Sequence, residues 1–129
     1  MPRANKNETP IAVEAGILTS RHAILDDLTV VFEDYHVDAD GTPVFRGLPD
    51  DRCQCPHWGY VSAGEITVTY TDGHVEVYSA GDAFYMPPGH APAAVAGSDF
   101  VIFSPKAEMD ITDAAIAANA AKMMEGTPS

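Results

Sequence analysis

Cys53, Cys55 and His57 fall on alternate residues of Cys53-Gln54-Cys55-Pro56-His57-Trp58, and His90 follows the turn Pro87-Pro88-Gly89. In an extended chain, side chains two residues apart share a face. The spacing therefore points Cys53, Cys55 and His57 at one spot, with His90 reaching it from a different strand. Two thiolates and two imidazoles suit zinc, iron or copper, and suit magnesium or calcium poorly. The expectation is a metal centre ligated by Cys53, Cys55, His57 and His90, holding a divalent transition metal, zinc or iron. Three protein ligands would leave a position for water, oxygen or substrate, whereas four would close the site.

The elements that must position these residues read as short strands. Leu28 to Val37 is rich in β-branched and aromatic residues, and Asp38-Ala39-Asp40-Gly41-Thr42-Pro43 ends it as a turn. Tyr60 to Gly64 and Glu65 to Thr71 follow, the second with Ile66, Val68 and Tyr70 on one face and threonines on the other. Asp72-Gly73 is a hairpin signal, and His74 to Tyr78 returns with the same alternation. Further strands are expected at Ala83 to Met86 and at Phe100 to Ser104. Strands at this spacing, separated by turns, make an antiparallel sandwich or barrel. Only the tail reads as helix, capped by Asp110 or Thr112, running through an alanine-rich stretch and stopped by Gly126.

The chain has 129 residues, one domain by length, with seven basic residues against nineteen acidic ones and a formal charge of −12. That charge disfavours nucleic acid and anionic membrane surfaces as partners. No run approaches the ~20 apolar residues of a membrane helix, and the N-terminus lacks the apolar core of a signal peptide. A cytoplasmic location is the expectation. In a reducing compartment, two cysteines this close together are better suited to metal ligation or to free thiols than to a disulfide.

Two motifs resemble those of the cupin superfamily, small jelly-roll β-barrels. The usual first motif is Gly, five residues, His-x-His, three or four residues, Glu, six residues, Gly. With Gly64 as the closing glycine, His57 falls on the glutamate position, and Cys53 and Asp51 fall on the two histidine positions. The usual second motif is Gly, five residues, Pro-x-Gly, two residues, His. Gly81, Pro87 and Gly89 match in register, Pro92 takes the histidine position, and His90 comes two residues early. The resemblance implies an all-β cupin jelly-roll barrel over residues 13–109. A flexible leader over 1–12 precedes it, and a short C-terminal helix over 110–125 and a tail over 126–129 follow. The family's ligand set of three histidines and one glutamate is absent, so the metal expectation rests on the residues that replace it.

The expected function is a metal-dependent activity on a small molecule inside the barrel: dioxygenase, isomerase, lyase or hydrolase. The alternatives are a non-catalytic binding or sensor module, and a metal-free structural barrel. Cys55-Pro56 is also similar to the short Cys-Pro motif through which some proteins bind haem. Small cupins often pair, and Leu28 to Val37 is apolar enough to serve as a pairing edge, so a homodimer is expected. Asp51 reads as a solvated loop carboxylate, and His36 as a residue that could line the barrel. His22 and His74 read as solvent-exposed.

Overall fold

The computed structural model describes residues 3–14 and 16–125, with side chains described as far as Lys122. The expected tail over 126–129, the helix stop at Gly126 and the first two residues of the expected leader lie outside the described residues. The strands are β1 (Ile11–Glu14), β2 (Leu18–Leu25), β3 (Leu28–Tyr35), β4 (Ala39–Asp40), β5 (His57–Ala63), β6 (Glu65–Tyr70), β7 (Val75–Ser79), β8 (Ala83–Met86), β9 (His90–Ala94) and β10 (Asp99–Pro105). One helix, α1 (Lys106–Glu125), follows them.

The strands form two antiparallel sheets, a six-stranded one ordered β1-β2-β3-β10-β5-β8 and a four-stranded one ordered β4-β9-β6-β7. This is an all-β jelly roll with a C-terminal helix. Alternation decides which side chains lie between the sheets. Ile66, Val68 and Tyr70 of β6 are buried, as are Val61 of β5, Phe84 and Met86 of β8, and Phe100 and Ile102 of β10. The hairpin turns at Asp72-Gly73, where the Tyr70 N–H donates to the His74 carbonyl at 2.9 Å and the Asp72 carboxylate accepts from the His74 N–H. Gly64 joins β5 to β6 at φ +79°, and a side chain there would collide with Ser98. Both constraints favour glycine.

Several elements differ from the sequence reading. Ile11 and Ala12, expected in the leader, begin β1, which pairs with β2. Upstream, Lys6 Nζ sits 2.7 Å from both Asp34 and Asp99, which ties the segment to the sheet. Strands β1, β2, β4 and β9 were not legible, because their alternation is diluted by small and polar residues such as Thr19, Ser20, Ala91 and Pro92. The helix starts at Lys106, not at 110. Neither Asp110 nor Thr112 caps it, since the helix issues directly from β10 and the Asp27 carbonyl accepts the Lys106 N–H at 2.9 Å. Strand β3 ends at Tyr35 and lies between β2 and β10, so it offers no free edge for pairing.

Helix α1 crosses one mouth of the barrel. Met109, Thr112 and Asn119 are buried on its inner side, and Ile116 packs against the same core. Asn119 Nδ2 donates to the Val44 and Arg46 carbonyls at 2.7 and 2.8 Å, pinning the helix to the 3-10 turn Thr42–Phe45 and the residue after it. No helix among the described residues is long and apolar enough to cross a membrane.

Candidate metal centre and cavity

Cys53, His57 and His90 converge as the alternation predicts, although the segment is extended only in part. Cys53 forms an isolated antiparallel bridge with His90, the chain bends at Cys55, and β5 begins at His57. The Cys53 N–H donates to the His90 carbonyl at 2.9 Å, so one backbone contact fixes two of the three residues. One ligand atom from each of the three lies within 4.8 Å of the others, and all three residues are buried. Cys53 Sγ lies 3.7 Å from His57 Nε2, and the two imidazole rings are 4.8 Å apart.

Both rings are oriented through their other nitrogen. His57 Nδ1 is 2.6 Å from Ser104 Oγ, and His90 Nδ1 is 2.6 Å from the Pro87 carbonyl, to which it must donate. The carbonyl contact fixes the His90 tautomer and leaves its Nε2 with a free lone pair, the arrangement that metal-ligating histidines use, while the Ser104 hydroxyl, which can donate or accept, holds the His57 ring in place. His90 Nε2 is buried and makes no hydrogen bond. An orphaned buried polar atom is costly, and a metal ion would satisfy it. Burial holds the imidazoles neutral, His57 down to about 3 with the nearby His90 adding to the effect, and His90 down to about 4. Burial raises the Cys53 thiol, against hydrogen bonds to Thr112 and to the Cys55 carbonyl.

Cys55 does not join the cluster. Its thiol lies 3.5 Å from the Pro56 carbonyl, and burial pushes it up to about 12. The bend at Cys55 breaks the alternation that the expected four-ligand set needed. Cys55 is 1% exposed and does not line the cavity, which leaves no open side on which a haem could sit. Both cysteines are free. Asp51 is an exposed loop carboxylate that accepts the Gly47 N–H at 3.0 Å. His36 is exposed and bonds Thr19 at 2.9 Å; it faces away from the barrel, because β3 points its odd-numbered residues inward.

Cys53 and His57 form part of the wall of a cavity of about 250 Å3, just under the ~300 Å3 at which ligand pockets usually begin. The lining is mostly apolar and includes Phe45, Ile66, Met86, Phe100 and Ile102, with Met109, Thr112 and Ile116 of α1 closing it. A second polar group on this wall escaped the sequence reading. Ser20 Oγ lies 3.1 Å from Glu33 Oε2 and 3.0 Å from His22 Nε2, and His22 Nδ1 lies 3.8 Å from Asp113. His22 is therefore half-buried in the cavity wall, not solvated. One signal was available: an acidic residue at 33 on the inward face of an otherwise apolar strand.

Residues 53–103 match the model of the cupin domain. No curated protein matches the chain. An RmlC-like cupin from Shewanella frigidimarina is 26% identical, with a TM-score of 0.55, covering 79% of this chain and 88% of its own. KdgF from Halomonas sp. is also 26% identical, with a TM-score of 0.55, covering 78% and 90%. The iron(II) form of HppE shares the fold at 10% identity and a TM-score of 0.56, covering 81% and 60%. The match begins at Cys53 and ends within β10, across the three converging residues and the strands that carry them. Residues 53–103 thus match a cupin domain, and the chain as a whole is similar in fold to small cupins.

Proposed function

We propose that Cys53, His57 and His90 hold a divalent transition metal, and that the protein is a metal-dependent enzyme acting on a small molecule in the adjoining cavity. The observation that carries this reading is His90 Nε2, buried without a partner beside a second imidazole and a thiol. The donor set suits zinc, iron or copper. Three protein ligands would leave a bound ion a coordination position for water or substrate, and Cys53 and His57 border the cavity.

A bound metal would supply Lewis acidity, polarising an oxygen of the substrate or lowering the pKa of a bound water. The chain's own residues do the rest. Ser104 orients the His57 ring, and the Pro87 carbonyl holds His90 in the ligating tautomer. Thr112 meets the Cys53 thiol at 3.5 Å and steadies the thiolate that ligation requires. The apolar lining excludes water and selects a compact, largely apolar substrate.

Elemental analysis of the protein purified without added metal tests the site. One equivalent of metal is expected in the wild type, and far less in His57→Ala and His90→Ala. A full equivalent in both variants would place the ion elsewhere. Turnover of oxidised and carbonyl-containing small molecules, lost on chelation, is the expected result that separates an enzyme from a binding module.

A further inference from the structure

The carboxyl of Glu33 has a position that the metal reading does not use. It lies on the cavity face of β3, directly across from Phe100 in the β3–β10 register and two residues from Tyr35. The Tyr35 and Phe100 rings are stacked, with centroids 6.0 Å apart and an interplanar angle of 20°. All three side chains line the cavity, and the Ser20 hydroxyl supports Glu33 from below at 3.1 Å. Among the described residues, Glu33 has no cationic partner, and no lysine or arginine lines the cavity.

We propose that Glu33, Tyr35 and Phe100 form a binding subsite for the ammonium group of a small organic amine, whose apolar body fills the rest of the cavity. A carboxylate in an apolar cavity is costly unless it is paired. An ammonium ion would supply the missing charge, and the aromatic faces beside it would add cation–π attraction. The remaining charged groups on the wall point the same way. Asp40 of β4 and Asp113 of α1 are both acidic, and His22 of β2 lies between Ser20 and Asp113. The formal charge of −12 draws cations toward the cavity and repels anions. This subsite shares the cavity with the proposed enzyme but does not depend on the metal.

Burial raises Glu33 to about 7, with the Ser20 hydrogen bond opposing the rise and the charge of Asp113 adding to it. Amine binding needs the carboxylate, so it should weaken as pH falls through that region. Tyr35 is raised further by burial and by Glu33, and does not titrate there. Hydrogen bonds from Thr42 hold Asp40 below its ordinary value, so it too stays out of that range.

The test is calorimetric and NMR titration of the protein as purified with cyclohexylamine, and with cyclohexanol as the neutral probe of similar size. The amine is expected to bind at least tenfold more tightly at pH 8, and to lose that preference toward pH 6. In Glu33→Gln the preference should vanish while cyclohexanol binds as in the wild type, which shows that the cavity is intact. Equal binding of the two probes by the wild type would overturn the proposal, as would failure of the amine to bind. So would a preference, or its pH dependence, that survives Glu33→Gln. His90→Ala separates this proposal from the metal reading, because its amine preference should persist. Full metal in a wild type with no amine preference would sink the subsite alone.

Discussion

At the scale of single residues, the protein separates two cysteines that differ only by one alternation step. Cys53 faces two imidazoles, and Cys55 faces a carbonyl with its thiol held near 12. Cys55→Ser should therefore keep the metal equivalent, and Cys53→Ser should lose most of it, as elemental analysis would read. The buried imidazoles also set the acid response of the metal-free protein. The unfolded chain takes up protons at His57 and His90 near 6.5, whereas the folded chain does so only at about 3 and 4. Stability contributed by these rings is present above 6.5 and declines as pH falls below it. Glu33 runs the other way. Its folded value of about 7 lies above the ordinary glutamate value of 4.5, so its stabilisation is full below 4.5 and declines as pH rises toward 7. Between 4.5 and 6.5, two imidazoles against one carboxyl leave a net difference of one proton, so stability should fall by about 1.4 kcal/mol per unit of acidification from these groups. Glu33→Gln removes the opposing group, and the slope should steepen to about 2.7 kcal/mol per unit. Urea unfolding in the presence of chelator from pH 7 to 4.5 reads both slopes. An unchanged slope in Glu33→Gln would show that the carboxyl is not buried in its neutral form.

At the scale of elements, α1 matters most, because it closes the cavity and touches both polar groups on its wall. Thr112 meets Cys53 and the neighbouring Asp113 approaches His22, so one turn of helix adjoins the metal cluster and the Ser20–Glu33 group. Its docking depends on Asn119, one side chain satisfying two carbonyls of the Val44–Arg46 segment. Asn119→Ala leaves both without that donor and should cost about 1–3 kcal/mol in chemical denaturation. It should also speed hydrogen exchange in α1 ahead of the strands, and exchange that rises uniformly would show that the helix is not a separable cover. This closure was the least legible part of the sequence. The strands β3, β5, β6, β7, β8 and β10 could be read because β-branched and aromatic residues alternate in them, and Asp72-Gly73 fixed the hairpin between β6 and β7. Cys53, His57 and His90 could be read because they are chemically distinctive. Ser20, His22 and Glu33 could not, since what makes them a group is the β2–β3 register, in which Ser20 stands opposite Glu33. Thr112 looked like a helix cap because Ser and Thr favour that position. Its true neighbour, Cys53, lies 59 residues away in the chain.

At the scale of the molecule, the outer face of the six-stranded sheet carries the exposed aromatic surface. Trp58 and Tyr85 stack with centroids 5.1 Å apart and are 47% and 48% exposed. Phe103 sits opposite Trp58 in the register, and Tyr60 extends the same face. Aromatic residues are enriched at the centres of protein interfaces, and solvated aromatic patches of this kind mark contact surfaces. The sequence pointed to β3 as a pairing edge, and β3 is enclosed between β2 and β10. The homodimer we propose therefore pairs through the face of the sheet and not along that strand. A second copy of this chain suits the patch, because Trp58, Tyr60, Tyr85 and Phe103 bring no charge and an isologous contact brings the same uncharged surface against them. Light scattering should report twice the 13.7 kDa of one chain at micromolar concentration. Trp58→Asp with Phe103→Asp should return the mass to one chain, since a carboxylate at the centre of such a contact is buried without a partner. Both side chains point away from the cavity, so the double variant should keep its metal and its preference for cyclohexylamine. A wild type that stays at 13.7 kDa up to high concentration would rule the dimer out, and a double variant that stays paired would move the contact to another face.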